Sequence, residues 1–396
     1  MSVTDPTVSR KYPVILIGVA LVLSACVAAF NYFTDPYVLF GFAEADSSRL
    51  SRIDQFNHMR ITKPWYMRQV KATAVVVGSS RSARVHPEHP SWASEVGYNL
   101  AAPGMTIQEN LRFIQHAHAI QPLSKVMIGL DYEAYIRPTP DTRKGFVDLR
   151  MARGQDDLRS FASRRQYVRD LADSLFSMQA LSLSVAAATG ISLPGRRYFK
   201  DGTWEITTTA LTGRGGYVYI GKNVLLAHKN NTLDTSKNLA TLREILRFCH
   251  NNNIQTRLFF TPTHVFFVDL WHRLGYESMW LDFHRQVVLA NDKVADELGR
   301  EPFPLWGFSQ VEGVVNEPIY RRKDAAKGWY DDGVHTRVPL GNKMMNSVWG
   351  EKAEIGLQVS ADNIEAYLAE TLQLMDKFNA ATPELVKKLH HDIGLD

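Results

Sequence analysis

From Tyr12 to Phe30 the chain reads YPVILIGVALVLSACVAAF, without one charged residue. A helix of that length matches the roughly 30 Å hydrocarbon core of a bilayer. This run constrains the chain more than any other feature, because it sets one end against lipid. We read residues 12–33 as a transmembrane anchor. Arg10 and Lys11 precede it, and Asp35, Glu44 and Asp46 follow, with Arg49 and Arg52 diluting the asymmetry. The positive-inside bias then places residues 1–11 in the cytoplasm and everything after about residue 34 outside. The expected location is the inner (cytoplasmic) membrane, single-pass, with a periplasmic or otherwise extracytoplasmic domain. Two other readings exist. The small residues from Ser24 to Ala29 supply a signal-peptide cleavage site. The stretch LSAC, Leu23 to Cys26, also fits a lipoprotein signal, with Cys26 acylated. The apolar run continues past Cys26 to Phe30, which favours the uncleaved anchor. All three readings put the main domain outside the cytoplasm.

The 396 residues suffice for one large domain or two modest ones, and 45% apolar with 22% charged content is ordinary for a globular chain. The net charge of +4 is small and unclustered, which argues against nucleic-acid binding. Cys26 and Cys249 are the only cysteines, so neither a disulfide framework nor a cysteine-rich zinc site can be built. No cofactor is expected.

Residues 34–71 form a connector, with a turn at Asp35-Pro36 and partly helical character from about 47 to 70. An α/β domain with an insertion follows over residues 72–396. The run Ala72-Thr73-Ala74-Val75-Val76-Val77 reads as a buried strand that stops at Gly78. Thr106 and Glu109 make a capping box for a helix with Ile107, Leu111 and Ile114 on one face. Lys125 to Leu130 is the next strand. Later come a helix with Leu239, Leu242, Leu246 and Cys249 on one face, the strand QTRLFF, a helix around 280–297, a short strand in FPLWGF and a helix from Ser360 to Asn379. Strand, helix, strand with short joins predicts a parallel sheet with crossover helices, hence a three-layer α/β/α domain. Between about 137 and 235 the rhythm is lost. We read that segment as a helical insertion forming a lid or wall. In it Tyr167, Leu171, Leu175 and Met178 suggest one helix, and GRGG lacks the lysine-serine pair of a phosphate loop.

Several polar residues cluster at predicted strand ends. They are Gly78-Ser79-Ser80, Asn99 to Gly104, and Gly129-Leu130-Asp131. Far downstream, Asp332-Gly333-Val334-His335 lets one loop supply both a base and the carboxylate that orients it. His116 and His118, two residues apart on a helix, point to different faces and do not suggest metal binding. Asp331, Asp332 and His335 lack a second ligand cluster, so no metal is expected.

The order and spacing of these four blocks resemble the SGNH (GDSL-like) hydrolase and acyltransferase superfamily. The resemblance covers about residues 72–135 and 236–350. It implies Ser80 as nucleophile, with serine at position 79 where the family has aspartate; apart from the resemblance, Ser79 is the alternative nucleophile. It implies His335 as base, Asp332 as its orienting partner, and an oxyanion hole from Ser80, Gly104 and the third block. There the family carries an asparagine, and this chain has Asp131. An ionised aspartate cannot donate, so either burial protonates it or the hole uses backbone N–H groups. Arg81, Asn99 and His264 are possible substrate contacts; Arg81 also suits a structural ion pair, and His264 a satisfied loop position.

The anchor, NYFTDPY, GSSR and the late Asp-x-x-His resemble the membrane-anchored branch of that superfamily, whose members O-acylate cell-envelope polymers and exopolysaccharides. This implies an O-acyltransferase, with O-acetyl transfer first among the options, and a polysaccharide acceptor. It also implies a multispanning membrane-bound O-acyltransferase as partner, since one helix offers no route for an acyl group across the bilayer. A carbohydrate or small-ester esterase on the same triad is a second reading. A catalytically weak scaffold or glycan-binding subunit of an export complex is a third.

Overall fold

A computed structural model describes residues 6–42, 53, 55–136, 142–190, 196–207, 211–229 and 235–395. Glu44, Asp46, Arg49 and Arg52, read above as anchor flanks, lie outside them. Pro6–Thr34 is one continuous helix. Among the described residues it is the single helix long and apolar enough to cross a membrane, over Tyr12–Thr34.

The β-branched runs found in the sequence become the centre of a mixed α/β body. Its sheet comprises β1 (Ala74–Val77), β2 (Gly97–Asn99), β3 (Lys125–Leu130), β6 (Gln255–Phe260), β7 (Leu305–Gly307) and β8 (Leu357–Val359). A separate antiparallel hairpin, β4 (Arg196–Tyr198) with β5 (Trp204–Ile206), lies inside the insertion. The spatial order is β2-β1-β3-β6-β7-β8. Neighbours from β2 to β7 run parallel, and β8 joins β7 antiparallel. Counted among themselves, the five parallel strands have the order 2-1-3-4-5, which reverses direction between the first and third strands.

Alternate side chains of β6 identify the layers, since successive residues of a strand face opposite sides. Phe260 meets Phe283 and His284 of helix Glu277–Leu298, with ring centroids 5.8 and 4.3 Å away. Arg257, of opposite parity, lies over Trp349 of helix Val338–Trp349 at 5.0 Å. Helices therefore cover both faces. Helices Ile107–Ile120 and Ser236–Asn251 join 277–298 in one layer. The predicted capping box at Thr106 and Glu109 is formed.

The expected single helix through Met178 is two helices, Phe161–Phe176 and Met178–Ala188, bent by 53°. Ser177 sits between them in extended conformation and caps the second through its hydroxyl, which accepts from the Ala180 N–H. That local hydrogen bond breaks the apolar stripe the spacing had suggested.

His116, His264 and His284 are buried inside this body. Burial pushes each of their pKa values down to about 4. The unfolded chain therefore takes up these protons first, as pH falls below about 6.5. Their stabilising contribution is complete above that value and is lost through the window down to about 4. His284→Phe keeps an aromatic ring in its aromatic cluster and removes one titration. Its thermal midpoint should rise relative to wild type as pH falls from 6.5 to 4, and parallel melting profiles would contradict this.

Candidate active site

At the carboxyl end of β1 the backbone turns through Gly78, whose φ is +147°. A Cβ there would collide with Ser82, so both the angle and the space demand glycine. The chain then enters a short 3₁₀ turn, Ser80–Ser82. Ser79 caps it, its Oγ accepting from the Arg81 N–H at 3.2 Å. The two serines are thus distinguished by position. The Ser79 hydroxyl serves the turn, and the Ser80 Oγ lies 2.8 Å from His335 Nε2.

His335 Nδ1 lies 2.7 Å from Asp332 Oδ2. The other oxygen of Asp332 accepts from the N–H groups of Val334 (3.1 Å) and His335 (2.9 Å). Gly333, with φ +85° and Tyr217 and Phe267 crowding its Cα, makes this tight loop possible. Burial alone would raise the Asp332 pKa. The charge and hydrogen bond of His335, with the two N–H groups, outweigh burial and hold the carboxyl below its usual range. An ionised Asp332 selects the tautomer with the proton on Nδ1, which leaves Nε2 to accept from Ser80.

Two further acidic groups brace this loop, and the sequence reading did not single out either as such. Glu317 accepts from the N–H groups of Trp329 (2.7 Å) and Tyr330 (3.2 Å). Burial pushes its carboxyl up to about 7, against those N–H groups and the charge of Arg337. Asp331 contacts the buried Arg84 at 3.3 Å and Arg337 at 3.5 Å. Arg84 lies over the Trp204 ring at 4.3 Å, so the hairpin of the insertion closes over the back of the loop.

Ser80 and His335 open on a cavity of about 350 Å³ at the point where the strand order reverses. Open α/β sheets place ligand sites at that point. Gly104 lines the same cavity, as do Ser79, Arg81 and Asp131. Among the described residues, the backbone N–H groups of Ser80 and Gly104 have no hydrogen-bond partner. Asp131 Oδ1 is taken by Thr261 Oγ1 at 2.6 Å. Arg81 faces Glu133 at 3.3 Å and Thr263 Oγ1 at 3.1 Å, which fits its ion-pair reading. Arg143 and Ile220, Asn223 and Val224 of helix Gly213–Lys229 complete the wall. They come from the insertion, where no motif marked them.

Two expected substrate contacts are corrected. Asn99 is fully buried: its amide donates to Ser82 O and Val85 O, both at 2.9 Å, and its Oδ1 accepts from the Ala101 N–H at 2.8 Å. It ties the serine turn to the Gly104 loop instead of facing the cavity. His264 is also fully buried, with Nδ1 accepting from the Phe266 N–H and Nε2 donating to Glu317 O. It caps a helix and steadies the segment that carries Glu317. No group of three or more potential metal ligands occurs among the described residues.

Asn99→Ala removes three buried hydrogen bonds and leaves the Val85 carbonyl and the Ala101 N–H unpaired, while Ser82 O keeps the Val85 N–H. It should cost about 2–4 kcal/mol in denaturant unfolding of the detergent-solubilised protein; an unchanged midpoint would contradict the tie. No protein-family model matches the chain, and no curated protein matches it.

Proposed function

We propose that this protein is an SGNH-like, membrane-anchored serine O-acyltransferase acting outside the cytoplasm on an envelope or secreted polysaccharide. One observation carries the reading: the unbroken chain from Ser80 Oγ through His335 to Asp332, opening on a cavity lined by Ser80 and Gly104, whose backbone N–H groups are unpaired among the described residues. The reversal of strand order beside Ser80 supports the fold part of the reading. Arg10 and Lys11 ahead of the anchor support the orientation.

The chemistry follows from the distances. His335 Nε2 accepts the Ser80 proton as Oγ attacks the carbonyl of an acyl donor. The imidazolium that forms is stabilised by the carboxylate of Asp332. The carbonyl oxygen gains negative charge, and the N–H groups of Ser80 and Gly104 are the donors available to it. Asp131 Oδ1 is already engaged by Thr261 Oγ1, and the reading assigns that side chain no donor role. His335 then returns the proton to the leaving group. In the second half-reaction His335 deprotonates an acceptor hydroxyl, which takes the acyl group from Ser80 Oγ. A sugar hydroxyl gives transfer and water gives ester hydrolysis. The expected partner supplying acyl groups from the cytoplasmic side is a multispanning membrane-bound O-acyltransferase.

A serine-directed phosphonate should label the full-length protein on Ser80, and aryl acetate hydrolysis should fall by about 10³-fold or more in Ser80→Ala. Ser79→Ala should keep the label and most of the activity. A label that persists in Ser80→Ala would overturn Ser80 as the nucleophile, and absence of the label from wild type would overturn the reading in favour of a scaffold. An acylated sugar product formed with an added acceptor identifies the transferase, and hydrolysis unaffected by acceptor identifies the esterase.

A further inference from the structure

We propose that the helix pair Phe161–Phe176 and Met178–Ala188 is a second membrane contact, seated in the bilayer interface at the C-terminal end of the anchor. This rests on reading the Pro6–Thr34 helix as membrane-spanning. The level of the pair is fixed by two polar contacts to that helix. Asn31 Nδ2 donates to Leu175 O at 2.9 Å, and Thr34 Oγ1 donates to Ser184 Oγ at 2.6 Å. At about 1.5 Å per residue, the charge-free run from Tyr12 to Phe30 by itself fills the hydrocarbon core. Asn31 and Thr34 therefore stand at the interface, and so do the residues they hold.

The surroundings agree. Tyr32 packs against Phe33, Phe40 and Phe42 with centroids 5.3, 4.7 and 5.1 Å away. Trp65 stacks on Tyr167 of the pair at 4.1 Å. Such aromatic clusters mark the level of lipid headgroups. From Ser174 to Gly190 no residue is charged, whereas Arg164, Arg165 and Arg169, with Asp170 and Asp173, lie earlier on the first helix. Large apolar side chains on the pair stand in the open: Met178 is 78% exposed, Phe176 56% and Val185 45%. Taken together, the two helices meet the same test of length and apolarity as the anchor. The bend of 53° and the 11 residues of the second helix rule out an ordinary crossing, since that helix extends only about 17 Å. Lying in the interface covers the apolar faces and leaves the basic residues among lipid phosphates.

The test uses the full chain in vesicles of phosphatidylcholine brominated on its acyl chains. Cys26, on the anchor, is replaced by serine; Cys249 is buried and stays. An environment-sensitive thiol fluorophore is attached in turn to Val19→Cys, Met178→Cys, Val185→Cys and Leu289→Cys. Val19 reports the anchor, and Leu289 is an exposed apolar residue on helix 277–298. The expected result is loss of fluorescence at positions 178 and 185 comparable with that at 19, and none at 289. Quenching at 19 with none at 178 and 185 overturns the second contact and leaves the anchor standing. No quenching at 19 overturns both. Probes at 178 and 185 that stay unquenched in vesicles, but are shielded in native membranes, assign the face to a partner protein and also overturn the proposal.

Discussion

The hydrogen bond between Ser80 and His335 joins two loops 255 residues apart, so it forms only where both are held in place. Each is fixed by groups that never touch the cavity. On the serine side, the buried amide of Asn99 spans Ser82, Val85 and Ala101. The ammonium of Lys63 gathers the carbonyls of Asn99, Ala101 and Gly202 at 2.6–3.0 Å. Arg60 reaches Pro103 O and pairs with Glu109, the capping residue of the next helix. On the histidine side, Glu317 and His264 secure the approach, and the Asp331 N–H closes the loop on His335 O at 2.9 Å. A hydrogen bond is sensitive to a few tenths of an ångström. Its two ends are therefore built on buried, multiply bonded supports.

Charge is balanced in the same place. Asp331 and Asp332 are neighbours in sequence and both are buried, so each makes ionisation of the other harder. Arg84 and Arg337 offset that repulsion at Asp331, while His335 offsets it at Asp332. Burial works against the Arg84 charge, which the two aspartates and the face of Trp204 oppose. The arrangement suits a base that must become positive during a reaction. On the proposed mechanism, an imidazolium at His335 would form beside an Asp332 carboxylate already fixed by two backbone N–H groups, so little reorganisation would be needed.

Local periodicity carried the fold class, because a parallel sheet core is built from short β-branched runs whose burial shows directly in their composition. The segments that meet at Ser80 and His335 stood out for a related reason: Gly78-Ser79-Ser80 and Asp332-x-x-His335 each fit inside one turn, so their geometry is mostly local. Asn99 and His264 were misread because a polar residue near a strand end looks the same whether it faces a cavity or satisfies buried backbone. Only the tertiary partners decide, and those lie 14 and 53 residues away. The cavity wall from helix 213–229 was invisible for another reason. The glycines of GRGG, Gly213, Gly215 and Gly216, gave no sign of a helix, yet Gly216 is helical and lets that helix approach the Cβ of Asp332. The same small residue that weakens a helix locally permits the contact that builds the site.

A single anchor helix leaves a domain free to rotate about the membrane normal and to tilt away from it. A second seat beside the anchor would remove the tilt, and the contacts leading from it to the site are short. Asp170, on the first helix of the pair, accepts from Trp65 and forms a buried two-pronged pair with Arg150. Arg150 donates to the carbonyl of Arg60, and Arg60 in turn holds Pro103, the residue before Gly104. The Gly104 loop is thus tied through three side chains, Arg60, Arg150 and Asp170, to the helix pair beside the anchor. Such buried pairs contribute little net stability, because desolvation cancels most of their attraction. Their value is positional: a planar guanidinium bonded at both edges permits one orientation of its neighbours. On the function proposed above, an enzyme taking acyl groups delivered across a bilayer would need its nucleophile at a fixed height and direction, and this chain of contacts would supply both without a second transmembrane helix.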